Sequence, residues 1–253
     1  MYTPIKELGQ NFLLDSDSCI QMVDSLELGA GDLVVEIGPG LGALTKNLVK
    51  KMQDVDARGY AVEVDERFVN VLKDAHTKSG HLQVVHDDIL SWLLTFKPSR
   101  SFKVIGSLPY YITSPILHSL IKHPMQPSLC VLLMQKEVAL KITSGAPDAS
   151  YMSTFVQTFY DAEIVKIIPR AHFDPVPQVD GAVLKLTKKN GVSMSVEEIV
   201  KYEGFLHKGF ATPRKMLNKV FKKEVLLELD IDPTARPQQL SLDQWSRLVV
   251  KLL

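Results

Sequence analysis

Within this 253-residue chain, Ser107-Leu108-Pro109-Tyr110 is the stretch whose residue types define a chemistry most narrowly. Proline fixes φ and brings no N–H, so the chain turns there with carbonyl oxygens available. The Ser107 side-chain oxygen and the Leu108 carbonyl then offer two acceptors on one turn, and Tyr110 offers an aromatic face. Such a set suits a planar exocyclic amine whose lone pair is delocalised into its ring. Two acceptors take the amine hydrogens and let the nitrogen become tetrahedral as an electrophile arrives. Stacking on an aromatic side chain contributes about 1–3 kcal/mol per base, which offsets much of the few kcal/mol needed to extrude one. In isolation the stretch reads as an ordinary proline turn with Tyr110 in the core; its company makes it more.

That company begins with Glu36-Ile37-Gly38-Pro39-Gly40-Leu41-Gly42. A strand that ends in glycines and opens a helix brings backbone close to a ligand and presents unpaired N–H groups. A dinucleotide fold requires G-x-G-x-x-G, with a third glycine for helix–strand packing; here the spacing is G-x-G-x-G. Glu36 is awkward beside a pyrophosphate but suits a cationic amino-acid ligand. Glu63 closes the next apolar run, where a carboxylate can accept both hydroxyls of a ribose. Asp88, in His86-Asp87-Asp88-Ile89, follows the run after that and can accept from the amine of an adenine, although Asp87 could serve equally. Taken singly, each acid is an ordinary solvated strand end. Together, after successive strands, they suit an amino-acid–nucleoside cofactor beside a base amine, and the reaction they imply is methyl transfer driven by a sulfonium leaving group. Catalysis would then be mostly positioning.

The elements that must hold these residues follow from periodicity. Apolar runs at 33–37, 59–64, 82–85, 104–106 and 129–134 read as strands. Segments 15–26, 41–52, 68–75 and 136–142 place apolar residues at helical spacing. Strands alternating with helices imply right-handed crossovers and a mostly parallel sheet. After Met152 the pattern changes: Phe155–Tyr160, Ala162–Ile168 and Ala182–Leu186 read as strands with little room for helices, hence an antiparallel edge. Lys188-Lys189-Asn190-Gly191 reads as a linker, and 195–220, 224–229 and 241–252 as helices. The expectation is an α/β domain over residues 1–189 and an all-helical domain over 190–253.

Bulk numbers exclude several classes. With 45% hydrophobic and 23% charged residues the chain is neither disordered nor of low complexity. Its formal net charge of zero carries no nucleic-acid signature. The distribution does: Lys201, Lys208, Arg214, Lys215, Lys219, Lys222 and Lys223 face a single acid, Glu203, in that stretch. A charge run alone is more often a solvated helix face. Cys19 and Cys130 lie far apart and the histidines are scattered, so no metal site is expected and a reducing cytoplasmic compartment fits. No apolar run approaches a membrane span, and the first residues lack a signal core.

Longer strings carry a resemblance. Gly9-Gln10-Asn11-Phe12-Leu13, the glycine loop, Ser107–Tyr110, Leu133-Met134-Gln135-Lys136-Glu137-Val138 and Phe173-Asp174-Pro175-Val176-Pro177-Gln178-Val179-Asp180-Gly181 together resemble the KsgA/Erm family of S-adenosylmethionine-dependent ribosomal RNA adenine N6-dimethyltransferases. The resemblance runs from residue 6 to beyond 240. It implies a Rossmann-like class I methyltransferase sheet, mostly parallel with an antiparallel edge strand, and a small helical domain. By that resemblance Asn11 and Leu13 touch the methionine end of the cofactor above Gly38. Glu63 takes the ribose and Asp88 the adenine ring, while Ser107 lies at both cofactor and target. Ser107, Leu108 and Tyr110 act on the target base, and Phe173 flanks it. Phe210-Ala211-Thr212-Pro213-Arg214-Lys215-Met216-Leu217 resembles the KsgA-type helix facing small-subunit RNA, which makes Arg214, Lys215, Lys219 and Lys222 the candidate RNA contacts. The implied reaction is dimethylation of two adjacent adenines near the 3′ end of small-subunit ribosomal RNA, in an immature subunit particle, by a cytoplasmic monomer.

One residue departs from the family pattern: Ser107 stands where asparagine is usual. Serine keeps an acceptor oxygen with a shorter reach, so activity is expected to survive, with the Leu108 carbonyl sharing the load. Three rivals follow. An Erm-type enzyme would act on large-subunit RNA. An assembly factor with weakened chemistry would keep the fold and the basic tail. A nicotinamide oxidoreductase is disfavoured by Glu36 and the glycine spacing.

Overall fold

In a computed structural model of the chain, residues 5, 9–76, 79–109 and 112–252 are described. The first elements are β1 (Phe12–Leu13), α1 (Ser16–Ser25), β2 (Leu33–Ile37), α2 (Ala43–Val55), β3 (Arg58–Glu63), α3 (Glu66–His76) and β4 (Leu82–His86). They are followed by α4 (Ile89–Thr95), β5 (Phe102–Ser107), α5 (Thr113–Lys122), β6 (Leu129–Gln135) and α6 (Lys136–Thr143). Next come α7 (Tyr151–Phe159), β7 (Tyr160–Ile168), β8 (Phe173–Asp174) and β9 (Gly181–Lys188). Last are α8 (Val196–Phe210), α9 (Lys223–Glu228) and α10 (Leu242–Leu252).

The seven-stranded sheet runs β4-β3-β2-β5-β6-β9-β7. The pairs β4–β3, β3–β2, β2–β5 and β5–β6 are parallel, and β9 is antiparallel to β6. The expected mostly parallel sheet with an antiparallel edge is therefore present. Its central strands are apolar on both faces because helices cover both: Val34, Val35, Val104, Ile105, Val131 and Leu132 are all inaccessible to solvent. Strand order reverses between β2 and β5, and the register there sets Ile37 opposite Gly106. Their next residues, Gly38 and Ser107, thus emerge side by side where ligands bind in open α/β sheets.

By contact density the chain forms two units, residues 1–139 with 163–188 and residues 140–162 with 189–253. The second unit thus draws in 140–162 as well as the residues after the expected linker. The reason lies in α7. Residues 155–160 were expected to be a strand because Phe155, Val156, Phe159 and Tyr160 are strand-favouring types. Instead Ser150 and Ser153 form a capping box, and Phe155, Val156 and Phe159 are buried along one helical stripe. Phe155 and Phe159 both meet the Tyr202 ring of α8, and Thr158 Oγ1 lies 2.7 Å from the Tyr202 hydroxyl. Tertiary packing overrode strand propensity.

The second unit is otherwise built around Trp245, which is fully buried and stacks on Phe210 at 5.1 Å. The helix expected over 195–220 stops at Phe210. Pro213 cannot continue it and restricts the residue before it. Arg214 and Lys215 therefore lie on turns, not on a helix, and a single 3-10 turn at Leu217–Lys219 follows. Two helices, α4 and α5, were not foreseen; the first is too short to show a period.

Candidate active site

A cavity of about 230 Å³ opens in the first unit at the carboxyl ends of the strands. Its wall takes Glu36 and Ile37 from the end of β2, Gly38 to Leu41 from the loop after it, Glu63 from β3 with Val64 just beyond, and Asp87 and Asp88 from beyond β4. Ser107, Leu108 and Pro109 from the end of β5, together with Leu133 and Phe173, supply the other side. The segment Gly9–Leu14 lines it as well. The fold thus gathers Asn11, Leu13, Gly38, Glu63, Asp88, Ser107, Leu108 and Phe173 into one cavity. Tyr110 lies outside the described residues.

The loop after β2 needs its glycines. Gly38 and Gly40 have φ of +61° and +53°, in the left-handed region that side chains with a Cβ rarely enter. Gly38 N–H donates to the Val62 carbonyl at 3.0 Å, and Gly40 N–H to Glu63 Oε2 at 2.9 Å. Glu63 Oε1 accepts from the Asp65 amide at 2.9 Å. Burial raises the Glu63 carboxyl above the usual range, and these two amide bonds oppose the rise. Asp88 has a structural duty that the sequence reading did not give it. Its Oδ1 caps α4, accepting from the amides of Leu90 and Ser91 at 2.9 and 3.1 Å. Both bonds fall on the same oxygen.

On the facing wall, Leu108 N–H donates to the Leu133 carbonyl at 2.8 Å, fixing the turn to β6. The Pro109 carbonyl accepts from Ile112 N–H and from Thr113 Oγ1, both at 3.2 Å, which starts α5. Phe173 is buried and pairs through β8 with Leu13 of β1. Gly181 makes room for its ring: a Cβ there would lie 3.0 Å from both Phe173 Cζ and a Leu133 methyl carbon.

Several site groups escaped the sequence reading. Gln10 links Ile5 N–H, at 2.8 Å, to Asp65 Oδ2, at 2.9 Å. Asp65 also accepts from Arg67, which holds its carboxyl well down, at about 2. Phe12 meets Phe68 edge-on at 5.5 Å. The signal was present in Gln10 and in an acid two residues past Glu63, but nothing in the spacing says that they touch.

In the second unit Arg214, Lys215, Lys219 and Lys222 are all exposed, and Lys208 Nζ lies 6.0 Å from the centre of the Phe221 ring. Among the described residues no helix is long and apolar enough to cross a membrane.

The cavity suits a ligand with a cationic end and a sugar. Glu36 Oε2 is buried without a hydrogen-bond partner, Glu63 and Asp88 present acceptors nearby, and the remaining wall is largely apolar.

The family model described as ribosomal RNA adenine dimethylase matches residues 4–253. The chain is 36% identical over 268 residues to the ribosomal RNA small subunit methyltransferase A of Rippkaea orientalis (strain PCC 8801 / RF-1), covering 97% of this chain and 96% of that protein. It is 33% identical over 264 residues to the protein of the same name from Geobacillus sp. (strain WCH70), covering 96% and 89%. Among solved structures it resembles a dimethyladenosine transferase from Plasmodium falciparum, with a TM-score of 0.80, 23% identity, and 95% and 96% coverage. The 23S rRNA methyltransferase ErmE gives a TM-score of 0.76, 24% identity, and 95% and 99% coverage. At those identities the structural likeness is one of fold.

Proposed function

The chain belongs to the ribosomal RNA adenine dimethylase family, and on that premise we propose that it transfers methyl groups from S-adenosylmethionine to N6 of two adjacent adenines near the 3′ end of small-subunit ribosomal RNA. The relatives named small subunit methyltransferase A support that substrate over the large subunit. The observation that carries the reading is the meeting of the glycine loop, Glu63, Asp88 and the Ser107-Leu108-Pro109 turn in one cavity.

When bound, S-adenosylmethionine supplies a methyl group on a cationic sulfur. Glu63 accepts its ribose hydroxyls, and Asp88 accepts from its adenine amine with the oxygen not used to cap α4. Asn11, Leu13 and Gly38 meet its amino-acid end. Ser107 Oγ and the Leu108 carbonyl accept the N6 hydrogens of the target adenine and leave its lone pair directed at the methyl carbon. Phe173 and Tyr110 hold the base plane, and the buried wall excludes water. Positioning of this kind lowers the barrier by converting a bimolecular encounter into an intramolecular one.

Residues 190–253, led by Arg214, Lys215, Lys219 and Lys222, bind the phosphates of an immature small subunit, and the protein works as a cytoplasmic monomer. The test is methyl incorporation into small subunits from cells lacking the protein, with mass-spectrometric mapping of the modified nucleosides. Dimethyladenosine at two neighbouring positions is expected. Binding of S-adenosylmethionine without incorporation would favour the assembly factor, for which Ser107 in place of asparagine is the observation. A Ser107→Asn variant in the same assay reads how far the shorter side chain tunes turnover.

A further inference from the structure

Glu36 sits in β2 with no solvent exposure, and its side chain is only half satisfied. Its Oε1 accepts from the Thr45 hydroxyl at 2.9 Å, while Oε2 has no partner. A second carboxylate, Glu63, shares the cavity. Among the described residues, the groups that share this wall with Glu36 bring no compensating cation: α1 contributes Cys19, α2 contributes Thr45, β3 contributes Glu63, and β5 contributes its last residue, Ser107. Burial pushes the Cys19 thiol up to about 11, so it stays neutral. An unpaired carboxylate in such surroundings takes up a proton rather than remain charged. An arriving cation changes the balance, since an opposite charge at close range favours the ionised form.

We propose that Glu36 holds a proton in the ligand-free protein and releases it to solvent when the ammonium of the methyl donor's amino-acid end enters the cavity, so that binding exchanges a proton for the ligand's cation. The O–H bond of Glu36 breaks and its proton goes to the buffer; no bond of the ligand changes. The inference rests on the reading of the cavity as the S-adenosylmethionine site. It gives Glu36 a role in selecting an ammonium-bearing ligand over a bare nucleoside. Burial lifts the carboxyl to about 8, with the negative Glu63 adding to the rise and the Thr45 bond opposing it. At pH 7 the protonated form would therefore predominate.

The experiment is calorimetric titration of the full chain with S-adenosylhomocysteine in buffers of different ionisation heat, which counts protons exchanged per ligand bound. A net release of protons, above zero and no more than one per ligand, is expected at pH 7. It should change to uptake near pH 9, where Glu36 is already ionised and the ligand amine must gain a proton to bind. Glu36→Gln should abolish the release at pH 7. 5′-Methylthioadenosine, which shares the nucleoside and lacks the ammonium, should bind without it. No release from the parent, an equal release from the variant, or an equal release with 5′-methylthioadenosine overturns the inference while the donor site stands. If S-adenosylhomocysteine does not bind at all, the donor site falls and this inference with it. Should Glu36→Gln fail to fold, the pH profile and the comparison of the two ligands on the parent decide alone.

Discussion

Gln10 Nε2 donates to Asp65 Oδ2 at 2.9 Å and so ties the segment that lines the cavity, residues 9–14, to the turn beyond β3. The same Asp65 donates its amide N–H to Glu63 Oε1. One short chain of bonds thus runs from the N-terminal segment to the carboxylate assigned to the ribose.

Gln10→Leu removes the link while keeping side-chain bulk. A hydrogen bond to a charged group contributes about 1.5–3 kcal/mol, so affinity for S-adenosylhomocysteine should fall about tenfold or more. The thermal midpoint without ligand should move little, because the bond is peripheral to the core. Calorimetry and a thermal melt check both parts; unchanged affinity would mean that the segment is held by Phe12 on Phe68 alone.

Glu36 and Asp65 should leave opposite marks on stability against pH. The Glu36 carboxyl is raised in the folded state, to about 8. Its neutral form is the favoured one, so stability falls as pH rises from the ordinary carboxylate range toward 8 and levels off beyond. Asp65 is lowered, to about 2. Its contribution is full above the ordinary carboxylate value and is lost as pH drops toward 2. Relative to the parent, Glu36→Gln should gain in thermal midpoint from pH 5 to pH 8. Asp65→Asn should be less stable at pH 7 and converge with the parent in acid. Melts across pH 2–9 read both; parallel curves for Glu36→Gln and parent would show that this carboxylate ionises normally.

Gly181→Ala should act on catalysis through crowding. The added Cβ meets Phe173 and Leu133 at 3.0 Å, and both line the cavity. Overpacking a tight site typically costs about 1–3 kcal/mol. Methyl transfer should drop about tenfold, with S-adenosylhomocysteine affinity near that of the parent. Loss of both in equal measure would mean that the crowding spreads to the glycine loop.

Charge removal on the second unit tests the RNA reading. Arg214 and Lys215 are exposed on turns after α8. Replacing both by Ala should weaken binding to immature small subunits and lower the slope of log affinity against log salt by about 2, since each phosphate contact contributes about 1. Cofactor affinity should not change. A salt slope equal to that of the parent would remove these residues from the interface.

The sequence by itself determined the sheet and the composition of its mouth. Strand runs such as 33–37 and 104–106 are apolar on both faces, which only a covered parallel sheet accommodates. The glycines after Ile37, the acids after successive strands and the proline turn after Ser107 then had to emerge at one end, because every parallel strand delivers its carboxyl end there. Helical spacing, which depends on the chain alone, was legible too, in the segments that became α1 and α2. What only the tertiary structure decided were contacts between residues far apart and choices between competing local preferences. Residues 155–160 hold strand-favouring side chains, yet packing on Tyr202 made 155–159 part of a helix. Asp88 became a helix cap as well as a candidate ligand, because a seven-residue helix too short to announce itself begins there. Gln10 met Asp65 across 55 positions of sequence. Glu36 was left with one oxygen unpaired, a fact of three-dimensional burial that no spacing encodes, since the partner a buried group lacks is set by everything folded around it.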